Sequence, residues 1–543
     1  MDGVSVKRAL ISVFDKSGIE DFARALADMG VEIISSGGTA KAIEARGIKV
    51  RYVQEWTGFP EMLGHRVVTL HPKVHGGILA LRDDPSHQED MKKYGIEPID
   101  LVCVGLYPFE NVVARPDCTL AEAVEMIDIG GPTMVRAAAK NHRFVGIVTD
   151  KSQYSLVLDE MRANSGKLSD DLRARLARQA FAYTAHYDSA ISSHLAGRLG
   201  EEFPERLTFS YRKSADLRYG ENPHQKAAFY VGADASEACV ARARLLGGKE
   251  ISYNNYFDAN GALELVKDFA PPAVAIIKHA NPAGCAIDDD LVEAYRKAYL
   301  GDVNAAMGGI IAVNRPVTAD LASAIVESYK RWGKAAGASF FKLDVWIAPG
   351  FDDDAVDLIT TPTEKRKWGA SCRLLAVGDM SAPPDPNDLD YRKIAGGMLV
   401  QTRDLLGLNE DEWKVVTQRA PSESEMSDLR FAWLVCKHTK SNAISICRDG
   451  MLLGNGAGQM SRVKSCDVAI QLAHENGHGD KLAGAVAAGD AFFPVPDGPA
   501  KLIAAGITAM IQPGGGKRDA ETIAACDQAG VAMILTGTRH FKH

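Results

Sequence analysis

The sequence lacks the cysteine patterns of a disulfide framework or of a cysteine zinc site. Its nine cysteines are scattered over 543 residues, and none of them are spaced as C-x-x-C. It also has no apolar run long enough to cross a membrane, and its N-terminal apolar stretch is too short for a signal peptide. These absences predict an enzyme of the reducing cytoplasm with no membrane partner.

The sequence also lacks an excess of positive charge. Lys and Arg number 62 against 70 Asp and Glu, which gives a formal net charge of −8. This balance argues against a nucleic-acid partner, although a local basic pocket can still bind a small anion. The hydrophobic content of 46% is that of an ordinary globular protein, and the length is too great for one core.

Strand and helix patterns alternate through the first 200 residues, which predicts a doubly wound parallel sheet with a site along its C-terminal edge. The apolar run at 31–34 leads into Ser35-Ser36-Gly37-Gly38-Thr39 and then into a helix at 40–45. Such a loop can bind phosphate through backbone N–H groups, and a tight turn capped by Thr39 explains the pattern equally well. Arg66 and Thr69 also suit phosphate contact.

Three titratable side chains in this region are candidates for proton transfer. Tyr107 lies at a strand end, and Asp128 and Lys140 lie at helix ends that could reach the same edge. Each also has a structural interpretation, as a core edge, a helix cap or a cation at a helix C-terminus. Turn and charge composition at 200–206 predicts a domain boundary there.

The apolar strand AVAII at 273–277 ends in Lys278 and His279. Asn281, Pro282 and Gly284 follow and predict a turn. A lysine supplies a fixed positive charge and a histidine accepts a proton near pH 7. Taken alone, however, the pair is more typical of a surface turn.

Later segments repeat this arrangement of polar groups at strand ends. The strand–loop units near 278 and 442 suggest a duplicated α/β layout, although no internal sequence repeat supports it. Arg218 and Tyr219 suit an anion beside a flat ring. The glycine-rich stretch at 452–459 lacks the strand, turn and helix order of a dinucleotide site.

Motifs along nearly the whole chain resemble one family, the bifunctional purine-biosynthesis enzymes that join IMP cyclohydrolase to AICAR transformylase. They occur in the family's order: SVFDKSG, SSGGTA, TGFPEM, TLHPKVHGG, LYPF, IDIGG, RAAAKNH, LRYGENPHQ, IIKHANPAG, KSNAI, GAGQMSR, DAFFP, QPGG and RHFKH. The resemblance implies a methylglyoxal-synthase-like domain at 1–200. It implies an AICAR transformylase domain of two cytidine-deaminase-like α/β halves at 201–543.

The resemblance also implies the substrates and the assembly. Formyl transfer from 10-formyltetrahydrofolate to AICAR would give formyl-AICAR, and dehydrative ring closure would give IMP. The folate is a co-substrate, no catalytic metal is implied, and the expected assembly is a homodimer with transformylase sites at the subunit interface.

Residue by residue, the resemblance implies that His279 is the base, Lys278 stabilises the oxyanion and Asn442 orients the reacting groups. Tyr107, Asp128 and Lys140 resemble the family's proton-handling and carbonyl-polarising residues. The implied substrate-binding positions are Ser12, Asp15, Lys16, Ser36, Gly37, Gly38, Thr39, Arg66, Thr69, Arg218, Tyr219, Gly308, Asp344, Arg462, Phe492, Asp497 and Arg539.

Four positions depart from the family's usual residues. Val68 stands in place of a lysine of the cyclohydrolase site, and Gly105 stands in place of an asparagine of the same half. Met307 replaces a phenylalanine and Gly516 a serine in the other half. An alternative is therefore a transformylase whose N-terminal domain is weakened as a cyclohydrolase or only binds nucleotide.

A zinc deaminase on a similar fold is another alternative. It needs H-x-E followed by P-C-x-x-C. The sequence contains only the first part, at His87-Gln88-Glu89, and that triplet is typical of a solvated helix face.

Overall fold

The computed structural model describes residues 3–232, 237–364 and 366–543. Contacts between Cα atoms divide the chain into two compact units, Met1–Tyr211 and Arg212–His543. We call them unit 1 and unit 2. The assignment of one catalytic function to each unit stays a prediction at this point.

Strands and helices alternate in unit 1, as the sequence pattern predicts. Its strands are β1 Val4–Ser5, β2 Arg8–Val13, β3 Glu32–Ser35, β4 Val50–Tyr52, β5 Leu101–Gly105, β6 Gly146–Val148 and β7 Lys167–Leu168. Its helices are α1 Ile19–Asp28, α2 Gly37–Glu44, α3 Val53–Thr57, α4 Pro72–Leu79, α5 Pro85–Tyr94, α6 Phe109–Val113, α7 Leu120–Glu125, α8 Gly130–Lys140, α9 Tyr154–Ala163 and α10 Asp170–Leu199.

The sheet of unit 1 is parallel, with strand order β4-β3-β2-β5-β6. This confirms the doubly wound architecture. Strand order reverses between β2 and β5, and the crevice outside the carboxyl ends of such strands is the usual ligand position in open α/β sheets. Leu10 and Ile11 of β2 are fully buried, and Phe22 of α1 belongs to the same core.

The structure changes one local interpretation in unit 1. Helix α2 begins at Gly37, and its N-cap is Ser36. Thr39 therefore lies inside the first turn, and its hydroxyl contacts the end of β2. The sequence prediction that Thr39 caps a tight turn is wrong, because the two glycines enter the helix themselves.

Unit 2 alternates in the same way. Its strands are β8 Tyr211–Leu217, β9 Ala227–Gly232, β10 Arg244–Gly247, β11 Ala273–Lys278, β12 Asn281–Ile287, β13 Gly309–Val313, β14 Leu343–Ala348, β15 Arg373–Ala376, β16 Leu389–Ile394, β17 Gly397–Thr402, β18 Lys414–Val415, β19 Ile444–Arg448, β20 Met451–Gly456, β21 Val486–Gly489, β22 Ala509–Gln512 and β23 Ala532–Leu535. Its helices are α11 Tyr253–Lys267, α12 Leu291–Gly301, α13 Ala319–Val326, α14 Asp353–Thr360, α15 Glu423–Lys437, α16 Arg462–Glu475, α17 Asp497–Ala504 and α18 Asp519–Ala529.

A 12-stranded sheet forms the centre of unit 2, and its two halves have the same topology. The first half has the order β10-β15-β14-β13-β11-β12, and the second half has the order β18-β23-β22-β21-β19-β20. Corresponding neighbours are parallel or antiparallel in the same pattern. The duplicated α/β layout suggested by the sequence is therefore confirmed.

Equivalent glycines lie at equivalent places in the two halves. A Cβ on Gly284 would overlap the carbonyl oxygen of Ala298 in α12, and a Cβ on Gly454 would overlap that of Ala469 in α16. Each glycine thus lets a helix approach its strand closely. This packing explains the glycine-rich stretch at 452–459 without a dinucleotide.

The two halves join where β12 pairs with β20, and this pair is antiparallel. The carboxyl end of β11 and the amino end of β19 consequently lie at the same edge of the sheet. The turn after β11 consists of His279 and Ala280, and Asn281 already belongs to β12. The predicted turn at 281–284 is wrong because pairing with β11 holds this segment in a strand.

The nine cysteines are free thiols. Among the described residues, no helix combines the length and apolar character needed to cross a membrane.

Candidate active sites

The phosphate-loop candidates of unit 1 lie at the carboxyl ends of β2 and β3. Lys16 follows β2, and its side chain extends over the loop: a Cβ on Gly38 would lie 3.3 Å from Cε and 3.6 Å from Nζ of Lys16. Gly37 and Gly38 place backbone N–H groups at the start of α2, next to Ser36. An ammonium group beside free helix N–H groups can bind a phosphate.

Two of the loop candidates contribute less than the pattern suggests. The Thr39 hydroxyl donates to the carbonyl of Val13 at 2.9 Å and accepts from its N–H at 3.2 Å. Only the backbone of Thr39 can therefore serve a ligand. Asp15 accepts from Ser17 at 2.6 Å and from Lys151 at 3.1 Å, and these bonds lower its pKa to about 2. Ser12 lies half-buried within β2.

Tyr107 and Asp128 come together at the same edge. Burial raises the pKa of the Asp128 carboxyl, and the backbone N–H groups of Gly131 and Tyr107 oppose this rise. Burial and the charge of Asp128 raise the pKa of the Tyr107 hydroxyl. The Tyr107 ring also contacts Phe14 at 5.6 Å between centroids, which connects this pair to the segment after β2 that carries Lys16.

Thr69 and Arg66 border this cluster. A Cβ on Gly130 would lie 2.8 Å from Oγ1 of Thr69, so the hydroxyl lies against the first turn of α8. Arg66 forms an exposed ion pair with Glu125, at the end of α7. The bond to Arg66 lowers the pKa of Glu125. The Arg66 guanidinium must leave this carboxylate before it can contact a phosphate.

Lys140 does not join Tyr107 and Asp128. Helix α8 begins beside Asp128 at the carboxyl edge of the sheet and runs back to the amino end of β6. Lys140 is its last residue and is exposed. An eleven-residue helix is about 15 Å long, so a side chain at its C-terminal end does not reach Asp128 at its N-terminal end. The proton-handling role of Lys140 stays a prediction that this geometry does not support within one chain.

The two departures of unit 1 border the same edge. Gly105 is the last residue of β5 and lines a cleft of about 180 Å³ together with Phe14 and Asp15. A Cβ on Gly105 would make only ordinary contacts, 3.4 Å from Cβ of Val13 and 3.6 Å from the nitrogen of Phe14. Val68 is half-buried directly before Thr69.

In unit 2, Lys278 lies beside Gly308 and Asp344. Its Nζ donates to the carbonyl of Met307 at 2.8 Å. A Cβ on Gly308 would lie 3.5 Å from this Nζ and 3.6 Å from Oδ2 of Asp344. Because the contact to residue 307 uses a backbone oxygen, the replacement of phenylalanine by methionine there leaves it in place. The ammonium of Lys278 and the carboxylate of Asp344 thus both lie next to Gly308.

His279 is the first residue of the turn between β11 and β12, and its ring is exposed. Nδ2 of Asn281 donates to the carbonyl of His279 at 3.1 Å, while Oδ1 of Asn281 accepts from the N–H of Lys440 at 3.0 Å. The amide of Asn281 therefore connects the His279 turn to the segment that carries Asn442. The sequence analysis used Asn281 only as a turn residue.

Asn442 has a fixed amide. Its Nδ2 donates to the carbonyl of Gln459 at 2.9 Å, and its Oδ1 accepts from Nη2 of Arg462 at 2.7 Å. Nη1 of Arg462 is paired with Asp490, which is fully buried. The Arg462 guanidinium thus fixes the orientation of the Asn442 amide, and this guanidinium is shielded from solvent. The sequence analysis did not select Asp490, although it precedes the aromatic pair at 492–493 and its carboxylate holds Arg462.

Asn442 and Arg462 line a cleft of about 380 Å³ with Phe492, Asp497 and Phe541. Phe492 and Phe541 are 37% and 42% exposed, so both contribute accessible aromatic surface to the cleft. Arg539 lies over the Phe541 ring at 4.3 Å from its centroid. A Cβ on Gly516 would lie 2.9 Å from Cδ2 of Phe492 and 2.6 Å from Oδ1 of Asp519. Any larger residue at 516 would therefore press against the Phe492 ring.

Arg218 and Tyr219 lie on the segment between β8 and β9. The Arg218 guanidinium lies 5.5 Å from the centroid of the Tyr219 ring. Phe229 of β9 stacks on Tyr256 of α11 at 4.0 Å between centroids, which places this two-stranded sheet against the start of α11. Among the described residues, no hydrogen bond or ion pair joins Arg218 to Lys278 or His279.

Metal ligands are not grouped in the part of the chain that the structure describes, where no three His, Cys, Asp or Glu side chains converge. His71 caps α4, because its Nδ1 accepts from the N–H of Lys73 at 3.1 Å. His87 lies on α5, a helix without buried residues.

Comparisons with known proteins match both units. A family model described as the AICARFT/IMPCHase bienzyme matches residues 138–472, and a model of the MGS-like domain matches residues 18–133. The bifunctional purine biosynthesis protein PurH of Magnetococcus marinus is 50% identical over 550 residues, which is 99% of each chain. The crystal structure of ForH matches 36% of this chain and 98% of its own, at 34% identity and a TM-score of 0.33. The chain therefore belongs to the AICARFT/IMPCHase bienzyme family.

Proposed function

We propose that this chain catalyses two consecutive reactions of purine synthesis. Unit 2 transfers a formyl group from 10-formyltetrahydrofolate to the exocyclic amine of AICAR, and unit 1 closes formyl-AICAR to IMP. The observation that carries the proposal is the position of Lys278, His279 and Asn442 at the same edge of the unit 2 sheet.

The amine of AICAR needs a base, because the neighbouring carboxamide withdraws electron density from it. His279 accepts a proton from this amine as the nitrogen attacks the formyl carbon. A positioned general base typically contributes about 10²–10⁴-fold in rate. The exposed ring of His279 is free to meet a bound nucleotide.

Attack on the formyl carbon creates an oxyanion, and Lys278 supplies the positive charge that stabilises it. Its Nζ is held by the carbonyl of Met307, so the charge is in place before the reaction. The intermediate then collapses: the bond from the formyl carbon to N10 breaks, N10 takes up a proton and tetrahydrofolate leaves. Asn442 orients the reacting groups, since its own amide is fixed on both sides.

The cleft beside Asn442 suits a folate. The exposed aromatic side chains of Phe492 and Phe541 can pack against a flat pterin, and Asp497 offers a carboxylate to its amino groups. Arg218, Arg539 and Tyr219 supply cations and a ring for the nucleotide. Gly308 and Asp344 border Lys278, where the AICAR base would lie.

Ring closure in unit 1 is intramolecular. The carboxamide nitrogen attacks the formyl carbon of the same molecule, and water is lost. Holding the two ends together supplies much of the acceleration. Lys16 and the loop at 36–39 bind the phosphate, Asp128 and Tyr107 handle protons, and Thr69 contacts the substrate beside them.

The proposal includes a homodimer with transformylase sites at the subunit interface. The hairpin formed by β16 and β17 supports it, because Ile394 and Leu399 expose 46% and 58% of their surface there. Exposed apolar side chains in one hairpin are typical of an interaction surface. Nine free thiols suit the reducing cytoplasm as the site of action.

One substitution tests the two-site assignment. His279→Ala should abolish formyl transfer to AICAR and leave the conversion of formyl-AICAR to IMP unchanged, with both activities measured on the full chain. Loss of both activities in a folded variant would refute separate sites. Retention of formyl transfer would refute His279 as the base.

A further inference from the structure

The turn that carries His279 has a structural counterpart in the other half of the unit 2 sheet. Lys278 and Asn281 flank the turn between β11 and β12, and Arg448 and Met451 flank the turn between β19 and β20. Both are two-residue hairpin turns at equivalent positions of the duplicated topology. The second turn can therefore serve as an internal reference for the first.

Both turns have left-handed backbones. The φ angles are 50° and 62° at His279 and Ala280, and 54° and 66° at Asp449 and Gly450. Two consecutive residues of positive φ are typical of a type I′ turn, for which Asp-Gly is a favoured sequence. The second turn has this sequence. The first has histidine and alanine, residues that seldom adopt such angles, so an additional interaction must hold it.

A carboxylate from a helix supplies that interaction in both halves. Oδ1 of Asp258 accepts from the N–H of Ala280 at 2.7 Å. Asp428 accepts from the N–H groups of Asp449 and Gly450 at 2.9 and 2.8 Å. Asp258 is the sixth residue of α11 and Asp428 is the sixth residue of α15. The two acids are thus equivalent in the duplication.

The two halves differ in what the turn carries. The turn held by Asp428 presents Asp449 and Gly450, and none of the candidate catalytic residues lies in it. The turn held by Asp258 presents His279 directly after Lys278. Asp258 is half-buried beneath it and also faces the charges of these two residues.

We propose that Asp258 is the positioning residue of the transformylase site: its carboxylate holds the left-handed turn at 279–280 and thereby aims the His279 ring at the nucleotide amine. This inference rests on the proposed function of His279. The backbone bond to Ala280 is the contact through which Asp258 acts.

Four variants of the full chain test this role. Asp258→Ala removes the acceptor, and Asp258→Asn keeps a side-chain oxygen that can accept from Ala280. Asp428→Ala removes the equivalent acceptor from the other turn. His279→Ala reports on the proposed base itself. For each variant, kcat and KM for formyl transfer, the rate of IMP formation from formyl-AICAR and Tm are measured.

Misplacement of a reacting group by about 1 Å can cost about 10²-fold in rate, so we expect Asp258→Ala to lower kcat for formyl transfer by about 10–10²-fold. The KM for AICAR should change far less, and Asp258→Asn should recover most of kcat. Asp428→Ala should lower Tm at least as much as Asp258→Ala, because it removes two backbone bonds rather than one, and it should keep kcat. IMP formation should be unchanged in every variant.

Equal kcat losses in Asp258→Ala and Asp428→Ala would overturn the proposal, because both would then reflect general destabilisation. Wild-type kcat in Asp258→Ala, or the absence of recovery in Asp258→Asn, would also overturn it. If His279 is not the base, the result is different, because the His279→Ala variant would then still transfer the formyl group.

Discussion

Nη2 of Arg462 donates to Oδ1 of Asn442 at 2.7 Å, while the other end of the same guanidinium is paired with the buried carboxylate of Asp490. Arg462 therefore connects a candidate catalytic amide to a charge that solvent cannot reach. Substitution of Arg462 should therefore have two effects: a loss of stability and a loss of the fixed orientation of Asn442.

Arg462→Ala should destabilise the protein by about 3–5 kcal/mol, because it leaves a buried carboxylate without its partner. The side chains of Arg462 and Asp490 are 6% and 0% exposed. Denaturant unfolding of unit 2 measures the loss. Arg518→Ala is the matched control: its ion pair with Glu521 is about half exposed, so its removal should cost at most about 1 kcal/mol.

Adding Asp490→Asn to Arg462→Ala removes the unpaired charge. The double variant should therefore be more stable than the sum of the two single losses indicates. Additive losses would contradict a direct charge interaction between the two residues.

Val68→Lys should accelerate ring closure. The family's lysine is missing at this position, and the next residue, Thr69, lies against the start of α8 near Asp128. Restoring one charged donor should raise kcat for IMP formation from formyl-AICAR by about 10–10²-fold, as expected for a group that stabilises developing charge. Val68→Gln, which adds length and polarity without charge, should give a much smaller gain.

The wild-type rate provides the complementary test. If Val68→Lys and the wild-type protein close the ring at the same rate, another group of unit 1 already supplies the missing charge. Gly105→Asn added to Val68→Lys would restore the second absent side chain. The cleft beside Gly105 has space for it.

Glu425 should contribute stability that depends on pH. Burial opposes ionisation of this carboxyl, but the bonds from Arg419 and from the N–H of Ser422 outweigh it and lower its pKa to about 2. A lowered carboxyl pKa stabilises the folded state above the unfolded pKa of about 4.3, and the contribution disappears as pH falls towards 2.

Glu425→Gln should therefore lower Tm at pH 6 and have progressively less effect between pH 4 and pH 2, where wild-type Glu425 becomes protonated as well. The loss at neutral pH should be on the order of 2 kcal/mol. Glu410→Gln is the matched control, because its bond to Arg430 is more exposed. A Tm difference that does not vary with pH would contradict the assignment.

Much of the fold could be predicted from the sequence because local patterns determine it. The apolar runs at 31–34 and 273–277 predict β3 and β11, and the observed strands match them to within about a residue. Lys278 and Asn442 could also be selected, since each lies where a buried strand begins or ends.

The duplication could be suspected but not established from the sequence, because it depends on pairings between distant segments. Only the antiparallel contact of Ala286 with Met451 places the end of β11 and the start of β19 at one edge. Asp258 could not be selected for the same reason: it lies in a helix and reaches a turn 22 positions away. Lys140 shows the opposite case: its position at the C-terminal end of a helix could be predicted, but that this end runs back towards the amino end of β6, away from Asp128, could not.

Ala280→Gly should stabilise the His279 turn. An L-residue with left-handed backbone angles costs about 1–2 kcal/mol, and glycine avoids this cost while losing about 0.5–1 kcal/mol in chain entropy. We expect a net gain of up to about 1 kcal/mol in the free energy of unfolding, with the bond from residue 280 to Asp258 retained.

Gly450→Ala provides the reciprocal test in the equivalent turn. Its φ of 66° disfavours alanine, and the new Cβ would lie 2.9 Å from Cγ1 of Ile287. This variant should be destabilised, and opposite signs for the two substitutions would show that the same backbone geometry governs both turns, whereas a loss in both would contradict it.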